Sequence, residues 1–485
     1  MDILDHLARV WHYFVAFFTL FISVIASAHA VLYKRDSRAT VLWVGLIWLV
    51  PLVGAVLYLM LGVNRVRRRA TLLRARLQRY QSQPAVPPCK VEALEEHLGE
   101  AGEHLGDLAR VVQGVVSKPL VPGNAVEPLV NGDVAFPLML EAIEQAKQSI
   151  SLCTYIFDNG KAGERFIRAL SAAVKRGVEV RVLIDDSGAR YSWPTVVPRL
   201  KAEGVPVARF MPTFAPFRLM AINLRNHRKI SVVDGWTAFT GGMNIRDGNY
   251  VKEDPYRPVQ DVHFRVRGPI VAQLQEVFAD DWLFTTREAL RGERWFPPLE
   301  CAGPVIARSI ADGPDEDMDR LYYTLLGALA AAKTSVCVVT PYFLPNRTLI
   351  TALNLAALRG VKVDIVMPEL NNLPFVKWAS FASLRQMVER GCRVWLALPP
   401  FDHTKLMLVD GHWALIGSAN WDTRSLRLNF EFNVECYDRD LVEKLEAVVK
   451  RKLAGAHRVT QAELEARPLP VKLRDGVARL FNPYL

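Results

Sequence analysis

Two uncharged runs stand at the head of the chain. Neither Trp11 to Tyr33 nor Thr40 to Val63 contains an Asp, Glu, Lys or Arg. Wound as a helix at about 1.5 Å per residue, the first run reaches about 35 Å, enough to cross a hydrocarbon core of about 30 Å. It exceeds the apolar core of a cleaved signal peptide, and the second run follows at once. Pro51 and Gly54 fall inside that second run, where a membrane helix tolerates them. With the short loop Lys34-Arg35-Asp36-Ser37-Arg38 between the runs, the pattern predicts a transmembrane helical hairpin within residues 1–70. Arg65, Arg67, Arg68, Arg69, Arg74, Arg76 and Arg79 outweigh the cations of the loop, so the positive-inside rule puts both chain ends in the cytoplasm. Residues 71–125 read as a basic and amphipathic linker. The stretch Gln81 to Cys89 is Pro-rich, and Val91 to Val116, with Leu94, Leu98, Leu105 and Leu108 among acids, predicts an amphipathic connector helix.

From residue 126 onward the periodicity alternates between strand and helix, and it does so twice. Ser149 to Phe157 predicts a strand, Gly163 to Lys175 a helix and Val178 to Ile184 another strand. Ser335 to Phe343, Arg347 to Leu358 and Val361 to Met367 repeat the order. Strand–helix alternation of this kind argues an α/β architecture with largely parallel sheets. We divide it into two repeats, 126–298 and 299–485.

Composition changes this picture little. A chain of 485 residues with 51% hydrophobic and 23% charged residues is folded and large enough for several cores. The net charge of +10 suits an acidic partner, nucleic acid or anionic membrane, without choosing between them. Six scattered cysteines form no zinc-ligand pattern, and phosphate-loop, dinucleotide, zincin and serine-hydrolase signatures are missing from the sequence.

The chemistry lies in the repeat. His227-x-Lys229-x4-Asp234-Gly235-x5-Gly241-x2-Asn244 matches His403-x-Lys405-x4-Asp410-Gly411-x5-Gly417-x2-Asn420, each member displaced by 176 residues. One such motif is weak evidence; two in register are strong. A histidine and lysine two apart on a strand share a face. Asp-Gly then opens a hairpin, and the returning strand brings the asparagine back beside the lysine. Two halves facing across a pseudo-twofold axis supply two imidazoles and four phosphate-binding groups, Lys229, Lys405, Asn244 and Asn420. One imidazole can attack phosphorus while the other protonates the departing alkoxide and later deprotonates the incoming hydroxyl. Lysine and asparagine donors stabilise the non-bridging oxygens. This chemistry needs no metal and no cofactor.

The duplicated H-x-K-x4-D resembles the phospholipase D superfamily. The hairpin, Tyr155-Ile156-Phe157, Asn226-His227-Arg228-Lys229, Thr240-Gly241-Gly242-Met243-Asn244, Thr340-Pro341-Tyr342-Phe343, Gly417-Ser418-Ala419-Asn420, Arg424-Ser425 and Asn429-Phe430-Glu431 resemble its bacterial cardiolipin synthases. The resemblance implies two pseudo-twofold-related α/β/α repeats forming one catalytic unit behind a transmembrane hairpin in the bacterial inner membrane. It implies transfer of a phosphatidyl group between two phosphatidylglycerol molecules, giving cardiolipin and glycerol through a phosphohistidine. Nucleic acid is not expected as a partner. The hydrolytic alternative is a membrane-bound phospholipase D that releases phosphatidic acid.

By the same resemblance His227 is the nucleophile and His403 the acid/base, with Lys229, Asp234, Lys405 and Asp410 completing the catalytic motifs. Asp261 and Glu431 are the candidate carboxylates that orient the imidazoles; the alternative for each is a solvated surface acid. Asp234 and Asp410, by their place before glycine, also read as turn caps or structural salt bridges. His263 is ambiguous because it sits beside Asp261. Asp402, directly before His403, departs from the apolar residue many of these enzymes carry there. It could tune the imidazole, contact a polar acceptor or face solvent, which leaves phosphatidylethanolamine as a second candidate donor.

Overall fold

The structure is a computed structural model that describes residues 2–34, 37–62, 80, 86–212, 224–315 and 317–482. It falls into two compact units, Met1–Ala70 and Thr71–Leu485. The arginines from Arg65 to Arg79, on which the orientation expectation rests, lie outside the described residues, as do 81–85 of the Pro-rich stretch.

In the first unit one helix runs from Asp2 to Tyr33. Its segment Val10–Tyr33, 24 residues of mean hydropathy 2.2, is long and apolar enough to span a bilayer. The second apolar run departs from the expected single helix. It folds as Ser37–Leu49 and Pro51–Leu57, continuing in a π turn over Tyr58–Gly62. Proline lacks an N–H and disfavours the helical conformation at the residue before it. Val50 accordingly leaves the helix, with φ −136° and ψ 74°. The pieces pack on one another and on the long helix, with Ala26, Ala30, Ile47, Ala55 and Tyr58 buried between them. Each is shorter than a membrane span.

Among the described residues of the second unit, sixteen strands join in one sheet, fifteen in sequence across it and Arg225–Asn226 branching from Asn429–Tyr437. On one side the order is Val207–Phe210, Glu179–Asp185, Ser149–Thr154, Ile230–Val233, Thr237–Gly241, Val262–Arg267 and Val121–Val130. The sheet then crosses to Val305–Asp312, Asn429–Tyr437, Trp413–Gly417, Leu406–Val409, Ser335–Val339, Lys362–Pro368 and Arg393–Ala397, with His457–Val459 at the far edge. Read outward from the Val121–Val130 and Val305–Asp312 junction, the two sides have the same strand order. The sheet is mixed, which corrects the expectation of largely parallel pairing. Along the main path, the parallel pairs among the described residues are those of three repeat strands on each side, Ser149–Thr154 to Val207–Phe210 and Ser335–Val339 to Arg393–Ala397. The motif strands return through tight turns, and a hairpin can only be antiparallel.

Helices cover both faces. Gly132–Gln145 and Lys161–Lys175 bury Phe136, Phe166 and Leu170 on the first repeat, and Arg320–Ala331 and Arg347–Leu358 bury Leu325, Leu349 and Leu353 on the second. Truncating Phe166 to alanine removes a fully buried ring and should cost about 3–5 kcal/mol. The expected connector helix is two helices, Val91–Gly102 and Leu105–Val115. Its leucines 94, 98, 105 and 108 belong to the core of the second repeat.

Candidate active site

Each motif turn is Asp-Gly with both residues at positive φ: Asp234 at 52° and Gly235 at 70°, Asp410 at 50° and Gly411 at 69°. These are the angles of a type I′ turn, whose twist suits a two-residue hairpin. The aspartates then serve the sheet. Asp234 accepts hydrogen bonds from the backbone N–H groups of Lys147, Gln148 and Ser149 at 2.9, 2.6 and 2.9 Å. Asp410 does the same for Lys333, Thr334 and Ser335 at 2.7, 2.8 and 2.7 Å, and also meets His104 Nε2 at 2.7 Å. Both stand at the end of the motif strand away from the histidine. Each ties its hairpin to the neighbouring strand, the turn-capping place the sequence offered for it, and neither lines the cavity described below.

At the other end of each strand the halves interlock. His227 and Lys229 precede the strand Ile230–Val233 instead of lying within it, and the backbone at His227 bonds to the other repeat. Arg225–Asn226 runs parallel to Asn429–Phe430, and His227 N donates to Phe430 O at 2.9 Å. Phe401–Asp402 runs parallel to Val259–Gln260, and His403 N donates to Gln260 O at 2.7 Å. The residue after each acceptor is a carboxylate, Glu431 or Asp261. The orienting pairs are consequently crossed between repeats: His227 Nδ1 lies 3.0 Å from Glu431 Oε2, and His403 Nδ1 lies 3.0 Å from Asp261 Oδ2. With Nδ1 engaged, Nε2 is the ring nitrogen left for substrate. Neither acid is a solvated surface group; both are buried.

Both histidines line one cavity of about 1620 Å³, together with Asn244 and Asn420. The asparagines reach it because Gly241 and Gly417, at φ 143° and 154°, let the returning strands press on their neighbours. A Cβ on Gly417 would stand 2.4 Å from Phe432 O. Asn244 Oδ1 accepts from Ile156 N at 3.1 Å, and Asn420 Nδ2 donates to Ser425 Oγ at 3.2 Å. Lys229 and Lys405 are buried close behind, their ammonium groups donating to the carbonyls of His227 and His403 at 2.6 and 2.5 Å.

Burial sets the electrostatics. It lowers Lys229 to about 7 and Lys405 to about 8. It also drives His227 well below its usual value, reinforced by both lysines, and raises the Glu431 carboxyl to about 7. These surroundings favour a neutral imidazole beside Glu431. His403 is held to about 4 by burial and then by Lys405, against the pull of Asp261. A phosphodiester anion between these groups would act in the same direction as Asp261, towards the protonated ring.

Several neighbours escaped sequence reasoning. Tyr155 sits edge-on to His227 with ring centroids 5.1 Å apart, and Tyr342 edge-on to His403 at 6.3 Å. Their nearly matched places at the ends of repeat strands were the available signal. Arg225 and Arg424 also line the cavity, one from each repeat, and Arg225 donates to Tyr155 OH at 2.8 Å. Asp402 neither lines the cavity nor faces solvent: it is buried in an ion pair with Lys452 at 2.7 Å. His263 is buried beside Asp261, held to about 4 by burial, and does not line the cavity.

The chain matches the family described as "Cardiolipin synthase, PLD-like domain" over residues 139–282 and 325–453. Residues 21–62 match "Phospholipase_D-nuclease N-terminal". Among curated relatives, the cardiolipin synthase of Geobacillus sp. (strain WCH70) is 32% identical over 93% of this chain and 90% of its own length. That of Geobacillus kaustophilus (strain HTA426) is 31% identical over 96% and 92%. Cardiolipin synthase 2 of Staphylococcus epidermidis is 30% identical over 96% of both chains. A solved phosphatidylserine synthase of Haemophilus influenzae Rd KW20 shares the fold, with TM-score 0.59 and 17% identity over 78% of this chain and 100% of its own. Two family matches across the two repeats, and relatives matched almost end to end, place the chain in the phospholipase D superfamily, in its cardiolipin synthase subfamily.

Proposed function

We propose that the protein is a membrane-anchored phosphatidyltransferase that makes cardiolipin from two phosphatidylglycerol molecules. The observation that carries this reading is the crossed pair of oriented imidazoles opening into one cavity. His227 Nε2 attacks the donor phosphorus, a P–N bond forms and the P–O bond to glycerol breaks, while His403 gives its proton to the leaving alkoxide. His403 then takes the proton from a glycerol hydroxyl of the second phosphatidylglycerol. That oxygen attacks phosphorus, the P–N bond breaks and both histidines return to their starting state. Lys229, Lys405, Asn244 and Asn420 hold the non-bridging oxygens. Burial leaves the His227 ring neutral, the form an attacking imidazole needs.

Arg225 and Arg424 offer charge to the second phosphodiester, which favours anionic phosphatidylglycerol over phosphatidylethanolamine as donor and acceptor. The segment Val10–Tyr33 anchors the protein in the bacterial inner membrane, the broken run Ser37–Gly62 returns through it with its short helices end to end, and the arginine-rich stretch after it keeps the catalytic unit cytoplasmic. The test is a product assay on the full chain in phosphatidylglycerol vesicles. Cardiolipin and glycerol in equal amounts are expected; phosphatidic acid without cardiolipin would make the protein a hydrolase.

A further inference from the structure

The mouth of the cavity is aromatic and apolar. Trp193 is 93% exposed and Tyr256 91%, with Tyr191, Leu370 and Leu373 exposed beside them, and all five line the cavity. Three come from the first repeat and two from the second, so both repeats build the rim. Leu373 leads into the helix Pro374–Val388, where the Phe375 ring lies 5.6 Å from that of Phe481. Phe481 follows the helix Leu469–Leu480, whose Ala478 packs inward with Leu344 and Val376. The same helix exposes Leu469, Leu473, Val477 and Leu480, each more than half accessible. Their spacing makes one stripe on an α-helix.

Single exposed apolar residues are ordinary, whereas a stripe continuous with the aromatic rim of a substrate cavity is a surface built for a partner. The chemistry of the rim says which. Tyrosine and tryptophan are the residues that settle at a membrane–water interface, and an apolar helix stripe flanked by cations lies flat in one. Lys472 and Arg479 are exposed on that helix, and Arg257 stacks on the Tyr256 ring at 5.2 Å. We infer that this rim and the helix Leu469–Leu480 dock into the headgroup layer of an anionic phospholipid bilayer, so that the cavity opens directly onto lipid. This inference rests on the reading that the substrate is a phospholipid. A lipid crossing water to reach an unattached mouth would expose its acyl chains, at a cost that grows with every CH₂. With the mouth at headgroup depth, the chains stay in the bilayer and only the phosphodiester enters the cavity.

The test uses the full chain in vesicles of phosphatidylglycerol and phosphatidylcholine. A parent with the exposed Cys301 changed (Cys301→Ser) receives one new thiol, Tyr256→Cys, Leu473→Cys or Lys147→Cys, and each is labelled with an environment-sensitive fluorophore. Lys147 lies at the Asp234 end of the sheet, away from the histidines. Blue-shifted emission, quenched by doxyl lipids, is expected at 256 and 473 but not at 147. Labels at 256 and 473 that behave like the one at 147 overturn the inference. So does a shift that follows protein concentration and ignores doxyl lipid, which would mean a second copy covers the patch. The labels report immersion whatever the product, so a hydrolase result in the product assay leaves this outcome readable. Cardiolipin formation with unquenched labels would dismiss the docking surface alone.

Discussion

The crossed carboxylates make a sharp prediction about Asp261→Asn. In the wild-type protein the Asp261 carboxylate lies 3.0 Å from His403 Nδ1, and both groups are buried. A unit-charge pair about 4 Å apart at an effective dielectric of about 20 interacts by about 4 kcal/mol. Asparagine keeps the shape and discards that charge. It therefore withdraws support from the imidazolium that must exist when His403 donates its proton, and the loss should be about 100- to 1,000-fold in rate.

The loss should depend on the leaving group. Glycerol departs as a poor alkoxide and needs the proton, whereas a nitrophenolate does not. Burst kinetics with the nitrophenyl ester of phosphatidic acid isolate the first step, and there Asp261→Asn should cost less than about tenfold. Glu431→Gln disturbs the ring that attacks, so it should slow both substrates alike. Equal losses for Asp261→Asn on the two leaving groups would refute the assignment of His403 as acid. If instead Glu431→Gln proves the leaving-group-sensitive variant, the two histidines exchange roles.

Acid-labile, base-stable phosphate should be found on His227 after rapid quenching with labelled phosphatidylglycerol, and His227→Ala should abolish it; label on His403 would reverse the order. Burial holds Lys229 to about 7 and Lys405 to about 8, so their charge is present below these values and lost as pH rises through them. The affinity of an inert phosphonate analogue should accordingly fall about tenfold per pH unit above about pH 7 and more steeply above about pH 8, where the second charge is lost, as titration calorimetry can check, and a flat affinity to about pH 9.5 would contradict it. A Cβ on Gly242 would stand 2.7 Å from both carboxylate oxygens of Asp261, so Gly242→Ser should reproduce the leaving-group signature of Asp261→Asn without touching that residue. EDTA should leave the phosphoryl-transfer step within about twofold in stopped-flow, because lysine and asparagine donors carry the charge stabilisation. Strict dependence on a divalent ion would overturn that assignment.

The parts of this site legible in the sequence are those fixed by local pattern. The constant 176-residue offset, the Asp-Gly turns and the glycine before each asparagine all act over a dozen residues, and the structure brings His227, His403, Asn244 and Asn420 to one cavity. The crossed pairing was not legible. It depends on two-residue ladders, Arg225–Asn226 on Asn429–Phe430 and Phe401–Asp402 on Val259–Gln260, too short to leave a period. The same holds for Asp402, whose partner Lys452 is 50 residues away on another helix. Pro51 is visible in the sequence as a residue a membrane helix tolerates, yet the backbone leaves the helix at Val50, one residue before it.

The departures from symmetry come in matched pairs, and this bears on how one motif serves two roles. In the first repeat Asn226 and Arg228 both bond Asp281, on the helix Ile270–Thr286. In the second, Asp402 faces Lys452 on the helix Arg439–Leu453. The acid has moved from the helix to the motif and the cation from the motif to the helix, so each histidine still rests on a neutral buried pair. A single exchange would strand a charge, at about 3–5 kcal/mol, and so only the double exchange is neutral. The carboxylates follow the same rule. Glu431 is longer and takes Ser418 Oγ at 2.5 Å, while Asp261 is shorter and stands where Gly242 leaves no side chain. Each imidazole thus keeps its 3.0 Å contact while the charge and polarity around it differ. A duplicated site that had stayed identical would give two rings of equal basicity. Compensated pairs let the surroundings of the two rings differ without moving either ring.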